Sequence, residues 1–109
     1  TAQLLPVDRG ILETIYLRVN GGLDGNAILD IYEKSYQNEP FVRLYDHGQV
    51  PDLRSVAHTN FCDLGLKADA ATGRVVVVSV IDNLVKGAAG QAIQNMNLVL
   101  GYPETEGLP

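Results

Sequence analysis

The sequence predicts an α+β domain, a mostly antiparallel or mixed sheet with helices on one face. Three observations point there. Period-two alternation runs through Gly10–Asn20 and again through Asn60–Ala68. A continuous β-branched stretch, Arg74–Ile81, has the pattern of a strand covered on both faces. Helical spacing appears twice, so the order reads strand, helix, three or more strands, helix. A chain of 109 residues supports one such domain.

The first strand places Ile11, Glu13, Ile15, Leu17 and Val19 on one face and Leu12, Thr14, Tyr16 and Arg18 on the other. Apolar groups on both faces suggest a central strand. Asn20-Gly21-Gly22 is a turn signal, and Asp24 or Asn26 can cap the helix that follows. That helix runs through Gln37 on a stripe of Ala27, Ile28, Ile31, Tyr32 and Tyr36, and Asn38-Glu39-Pro40 stops it. Phe41–Tyr45 reads as a short strand, and 46–51 as a loop. In the next strand Cys62, Leu64, Leu66 and Ala68 point inward and Asp63 and Lys67 outward. Asp69–Gly73 makes a hairpin turn. The last helix is expected from about Asn83 to Leu100, with Val85, Ala89, Ala92, Met96 and Val99 as its apolar stripe. Gly101 and Pro103 end it, and Glu104–Pro109 is expected to be irregular.

Composition narrows the function. Hydrophobic residues make up 46% and charged residues 19%, which excludes a disordered tail, a coiled coil and a collagen-like fibre. No apolar run approaches the ~20 residues that span a bilayer. A net charge of −5 argues against a general nucleic-acid partner. One cysteine excludes a disulfide framework and a Cys-rich zinc site, and fits a reducing, cytoplasmic setting. The absence of an initiator Met suggests a processed, cut or excerpted polypeptide, and no secretory signal is visible.

The most unusual stretch is Asp82–Ala92, DNLVKGAAGQA. Gly87 and Gly90 each cost a helix roughly 1 kcal/mol relative to Ala. Small side chains allow close approach of a backbone or a flat ligand. A helix start offers free N–H donors and Lys86 a full charge, which together suit a phosphate or an amide-bearing cofactor. Tight helix-on-sheet packing explains the same residues. Arg9 could present its guanidinium fork to a carboxylate or phosphate, or pair with Asp8 or another acid. Glu13, the one charge on the more apolar face of its strand, reads as a strand-end or Arg-paired charge, with a charge facing a site as the alternative. Cys62, beside Asp63, reads as a small buried hydrophobe rather than a nucleophile. His47 and His58 lie in loops without metal spacing, and no Ser-His-Asp or paired-carboxylate set assembles.

At this stretch the sequence resembles the N-acetyl-gamma-glutamyl-phosphate reductase family of the semialdehyde dehydrogenase superfamily. Residues 82–98 look like that family's last helix, and Gly101–Leu108 like its C-terminal tail. Arg9-Gly10-Ile11, Pro40–Tyr45 and Asn60–Asp63 look like its strands. The resemblance covers essentially the whole chain. It implies the C-terminal, catalytic/dimerisation part of a longer enzyme. Residues 1–81 would belong to that α+β domain. Residues 82–109 would form a helix and tail returning toward a nucleotide-binding domain.

It further implies reduction of N-acetyl-glutamyl phosphate to N-acetyl-glutamate semialdehyde through a cysteine thioester, with NADPH as hydride source. NADPH would be bound mainly by a domain outside this chain. The family's Pro-Gly-Cys-Tyr and His-Arg-His contexts do not occur here, so no catalytic residue is assigned to this chain and it is expected to be inactive alone. The family's Pro-His pair near the start stands as Ala2-Gln3. By motif, Asn83, Lys86 and Gly87 would face the cofactor and Arg9 the substrate anion. A homo-oligomer is expected, because helices from one chain cover only one side of apolar strands. The rival reading is a freestanding α+β ligand-binding or oligomerisation module.

Overall fold

A computed structural model describes residues 1–3, 6–20 and 24–109; the Gly21-Gly22 turn signal falls outside the described residues. Five strands form one mixed sheet. In chain order they are β1 (Ala2–Gln3), β2 (Ile11–Arg18), β3 (Val42–Leu44), β4 (Cys62–Asp69) and β5 (Arg74–Ile81). Their spatial order is β1-β2-β5-β4-β3, and every pair is antiparallel except β3 with β4. The hairpin joins β4 to β5 as the turn residues require. Asp69 accepts from Ala71 N at 3.0 Å and Thr72 Oγ1 at 2.7 Å.

Helix α1 (Gly25–Tyr36) is capped by Asp24, whose carboxylate accepts from Ala27 N at 2.8 Å. Its inward residues are Ile28, Leu29 and Tyr32, which pack on Leu66, Val75 and Val77. Ile31, expected in the buried stripe, is 52% exposed. The register explains which sheet face this is. Leu66 pairs with Val77, and Val77 with Ile15, so these three lie in one row facing α1.

The opposite face carries Asp63, Val80 and Leu12 in another row. A four-residue helix, α2 (Leu53–Val56), covers that end. It was not expected from sequence, and it lies across the sheet from α1. It buries Val56 and Val80 completely. Asp63, expected to point to solvent, is fully buried beneath it. Further along β5 the same face opens. Val76 and Val78 are only half-buried and Tyr16 is 72% exposed, so β5 is not covered on both faces along its length.

The last helix departs from expectation twice. Residues Val85–Ala89 form a π-helical turn, and the α-helix α3 begins at Gly90 and ends at Leu100. The wider winding is visible in its bonds, Gly87 N to Asp82 O at 3.0 Å and Ala89 N to Leu84 O at 3.3 Å. The buried face of α3 is Gly90, Gln94 and Asn97, not the apolar stripe. Met96 and Val99 are 50% and 83% exposed, and Ala89 and Ala92 are exposed too. The polar face wins because it meets polar partners, described below. Gly101 ends α3 with φ +73, the left-handed cap its position demands. No helix of the described residues is long and apolar enough to cross a membrane.

Candidate functional site

β2 and β5 end together. Ile11 pairs with Ile81, so the residues just outside the ladder, Arg9-Gly10 and Asp82-Asn83, come side by side although 73 positions apart. Asp82 is fully buried. It accepts backbone N–H bonds from His58 at 2.6 Å, Leu84 at 2.8 Å and Val85 at 3.1 Å. Arg9 adds two contacts, Nη2 to Oδ1 at 3.1 Å and Nε to Oδ2 at 2.9 Å. Burial alone would raise the Asp82 carboxyl, but these backbone donors and the guanidinium outweigh it and hold its pKa below the usual carboxylate range.

Asn83 completes the junction. Its Oδ1 accepts from Gly10 N at 2.6 Å. A backbone N–H only donates, so the contacting side-chain atom is the oxygen and the Nδ2 amino group points away as a donor. Nδ2 has no partner among the described residues. Gly10 makes the close approach possible. Its φ is +109, and a Cβ there would sit 2.8 Å from Leu53 Cδ2.

The helix start is therefore not a bank of free donors. Leu84 N and Val85 N are taken by Asp82, and Gly87 N by the Asp82 carbonyl. Lys86 also turns inward. Its Nζ donates to Gln94 Oε1 at 2.6 Å and lies 5.7 Å from the centre of the Phe41 ring. Burial pushes its pKa down, while Cys62, Glu104 and Glu39 pull it back up. Gly87, Ala88 and Ala89 are exposed and form a small-residue surface just past Asn83.

Gln94 is the hub that accounts for the polar face of α3. Its oxygen also accepts from Asn60 Nδ2 at 2.9 Å, and its amide donates to Glu104 Oε1 at 2.5 Å. Asn97 Nδ2 donates to the carbonyls of Glu104 at 3.2 Å and Glu106 at 2.9 Å. The tail expected to be irregular is thus tied to the helix. Gly90 is required sterically, since a Cβ would stand 2.3 Å from Asn60 Oδ1.

Two further groups lie on β4. Asp63 accepts from Arg43 Nε at 2.6 Å and Nη2 at 2.9 Å, from Ser55 Oγ at 2.6 Å and from Tyr45 Oη at 3.1 Å. Arg43 also stacks 4.2 Å over the Phe61 ring. Every partner is satisfied, so this cluster anchors α2 rather than presenting chemistry. No local pattern signals it: Arg43 and Asp63 are brought together by the β3–β4 register. Cys62 is half-buried, with Sγ 3.5 Å from Ser79 Oγ. Of the sequence candidates, Arg9 and Asn83 meet at one junction. Lys86 and Gly87 follow on the next turn, Lys86 facing inward and Gly87 outward. Among the described residues no three His, Cys, Asp or Glu side chains are placed to hold a metal ion.

The comparisons with known proteins agree with this architecture. Residues 1–83 match the family described as semialdehyde dehydrogenase, dimerisation domain. The chain is 56% identical over 108 residues to an N-acetyl-gamma-glutamyl-phosphate reductase of Geobacter metallireducens and 50% identical to one of Geobacillus kaustophilus. Each alignment covers 99% of this chain and 31% of the relative, so the chain spans about a third of the length of these curated relatives. A crystal structure of aspartate semialdehyde dehydrogenase II from Vibrio cholerae, complexed with ASA, superposes with a TM-score of 0.69 at 22% identity. That match covers 89% of this chain and 29% of the other, and supports the fold.

Proposed function

The chain belongs to the semialdehyde dehydrogenase dimerisation-domain family, and on that footing we propose that it is the catalytic/dimerisation third of an N-acetyl-gamma-glutamyl-phosphate reductase of arginine biosynthesis. The observation that carries the reading is the junction at the end of β2 and β5. Arg9, Gly10, Asp82 and Asn83 are clamped there, and one amide donor is left pointing outward. The substrate class is an acyl phosphate, N-acetyl-glutamyl phosphate. A thiolate outside this chain would displace phosphate to form a thioester. The hydride that converts the thioester to the semialdehyde, returning the thiolate, is what NADPH supplies when bound.

The residues here suit a supporting role in that chemistry. Asn83 Nδ2 would donate to a carbonyl oxygen such as that of a carboxamide. Gly87, with Ala88 and Ala89 exposed beside it, would let a flat ring approach. Lys86 would reach a cofactor only by leaving Gln94. Arg9 spends part of its guanidinium on Asp82 and His58, and its remaining N–H groups would meet a substrate anion. Residues 1–81 would form the assembly domain, and 82–109 the helix and tail that return toward the nucleotide-binding domain.

The open half of the sheet suits a second copy. Tyr16, Val76 and Val78 face away from α1, and a cleft of about 450 Å³ lined by Tyr16, Leu17, Arg18, Arg74, Val75 and Val76 sits at that end. A homo-oligomer, a cytoplasmic setting and no nucleic-acid or membrane partner belong to the same reading.

A chimera tests it. This chain replaces the matching third of the Geobacter metallireducens reductase. The chimera is expected to show phosphate-dependent reduction of NADP by N-acetyl-glutamate semialdehyde, the reaction in reverse, while the chain alone shows none. A folded chimera without that activity would refute the reading.

A further inference from the structure

His58 is the only non-glycine residue among those described with a left-handed backbone, φ +63. That conformation is unfavourable for a residue that carries a side chain. Two contacts hold it in place. Its N–H donates to Asp82 Oδ2 at 2.6 Å, and its Nδ1 lies 2.6 Å from Arg9 Nη1. A guanidinium has donors only, so Nδ1 is the acceptor. A neutral imidazole with an accepting Nδ1 carries its proton on Nε2.

Protonation removes that acceptor. The imidazolium has two donors and a positive charge, and it meets the guanidinium as a like charge. Among the described residues, the charged groups that contact His58 are Arg9, from the segment before β2, and Asp82, after β5. Asp82 already takes three backbone bonds and both Arg9 contacts. We propose that His58 is a positioning residue for Arg9. Its neutral, Nε2-protonated ring steadies the guanidinium on Asp82, and protonation of the ring withdraws that support. The proposal rests on this geometry and not on the reductase reading.

His47 provides an internal contrast. Its Nε2 accepts from Ala68 N at 3.1 Å, so its neutral ring carries the proton on Nδ1. The chain has two histidines, and the structure gives them opposite tautomers.

The test is a long-range proton–nitrogen NMR titration of the whole chain, labelled at histidine and arginine, between about pH 5 and pH 8. At the upper end His58 is expected as the Nε2–H tautomer and His47 as the Nδ1–H tautomer. The Arg9 side-chain resonances are expected to move with His58 and not with His47. In H58G the backbone conformation is relaxed and the N–H to Asp82 is kept, so the chain folds, and the Arg9 response should disappear. An Nδ1–H tautomer at His58, an Arg9 signal that ignores the His58 titration, or the same Arg9 transition in H58G would each overturn the proposal. Any of these would leave the reductase reading standing.

Discussion

Two regions of the molecule are held by different physics. On the α1 side, Ile28, Leu66, Val75 and Val77 form a dry core that needs only shape and burial. Elsewhere, at α2 across the sheet and at the π-helical turn and α3 past the ends of β2 and β5, the chain is tied down by the buried polar residues Asp63, Asp82, Asn60, Gln94 and Asn97. Hydrophobic packing tolerates volume-conserving exchange, whereas a buried carboxylate leaves its partners stranded when removed. The dry core therefore supports the fold, and the polar region fixes where the ends of β2 and β5 place Arg9 and Asn83.

Breaking the polar side at its most buried point should have the largest effect. Asp63→Ala deprives Arg43 of its carboxylate and leaves Tyr45 without its acceptor, and should cost about 3–5 kcal/mol in denaturant unfolding. Leu66→Ala, the matching cut on the dry side, should cost about 2–5 kcal/mol. The two differ in repair: Leu66→Met should recover most of the loss, whereas Asp63→Asn should not, because it places an amide donor against the Arg43 fork.

Acid sharpens the same contrast. The folded state lowers the Asp82 pKa below its unfolded value. Its contribution is therefore fully present above the unfolded carboxylate value and is lost as pH falls through the folded one. Asp82→Asn should be less stable than the parent at neutral pH, and the gap should narrow as unfolding is followed down through that acidic range. A gap independent of pH would contradict the role given to the carboxylate. The smallest effect belongs to a surface that looks like a core in sequence. Val99→Ser in the isolated chain should change stability by less than about 0.5 kcal/mol, because Val99 is 83% exposed.

This contrast also explains what was legible beforehand. Alternation and β-branching located β2, β4 and β5, and the Asp24 cap and Gly101 stop framed their helices, because burial on the α1 side follows side-chain period. The polar side does not. Asp63 sits at a parity that reads as solvent-facing, and α2 is four residues long, too short to show a period. The apolar stripe of the last helix was real as a pattern, but Gln94 and Asn97 find partners in Asn60 and the tail while Met96 and Val99 find none in this chain. Arg9 and Asn83 were singled out by motif. Their meeting depends on the β2–β5 register, which no local pattern contains.

Asn83 is the outward donor of a junction built to hold it. The most direct measurement is kcat/KM of the chimeric reductase with Asn83→Ala, at a temperature where both proteins are folded. A loss of about tenfold or more is expected, a transition-state cost of about 1.4 kcal/mol. A kcat/KM equal to that of the unmutated chimera would contradict it.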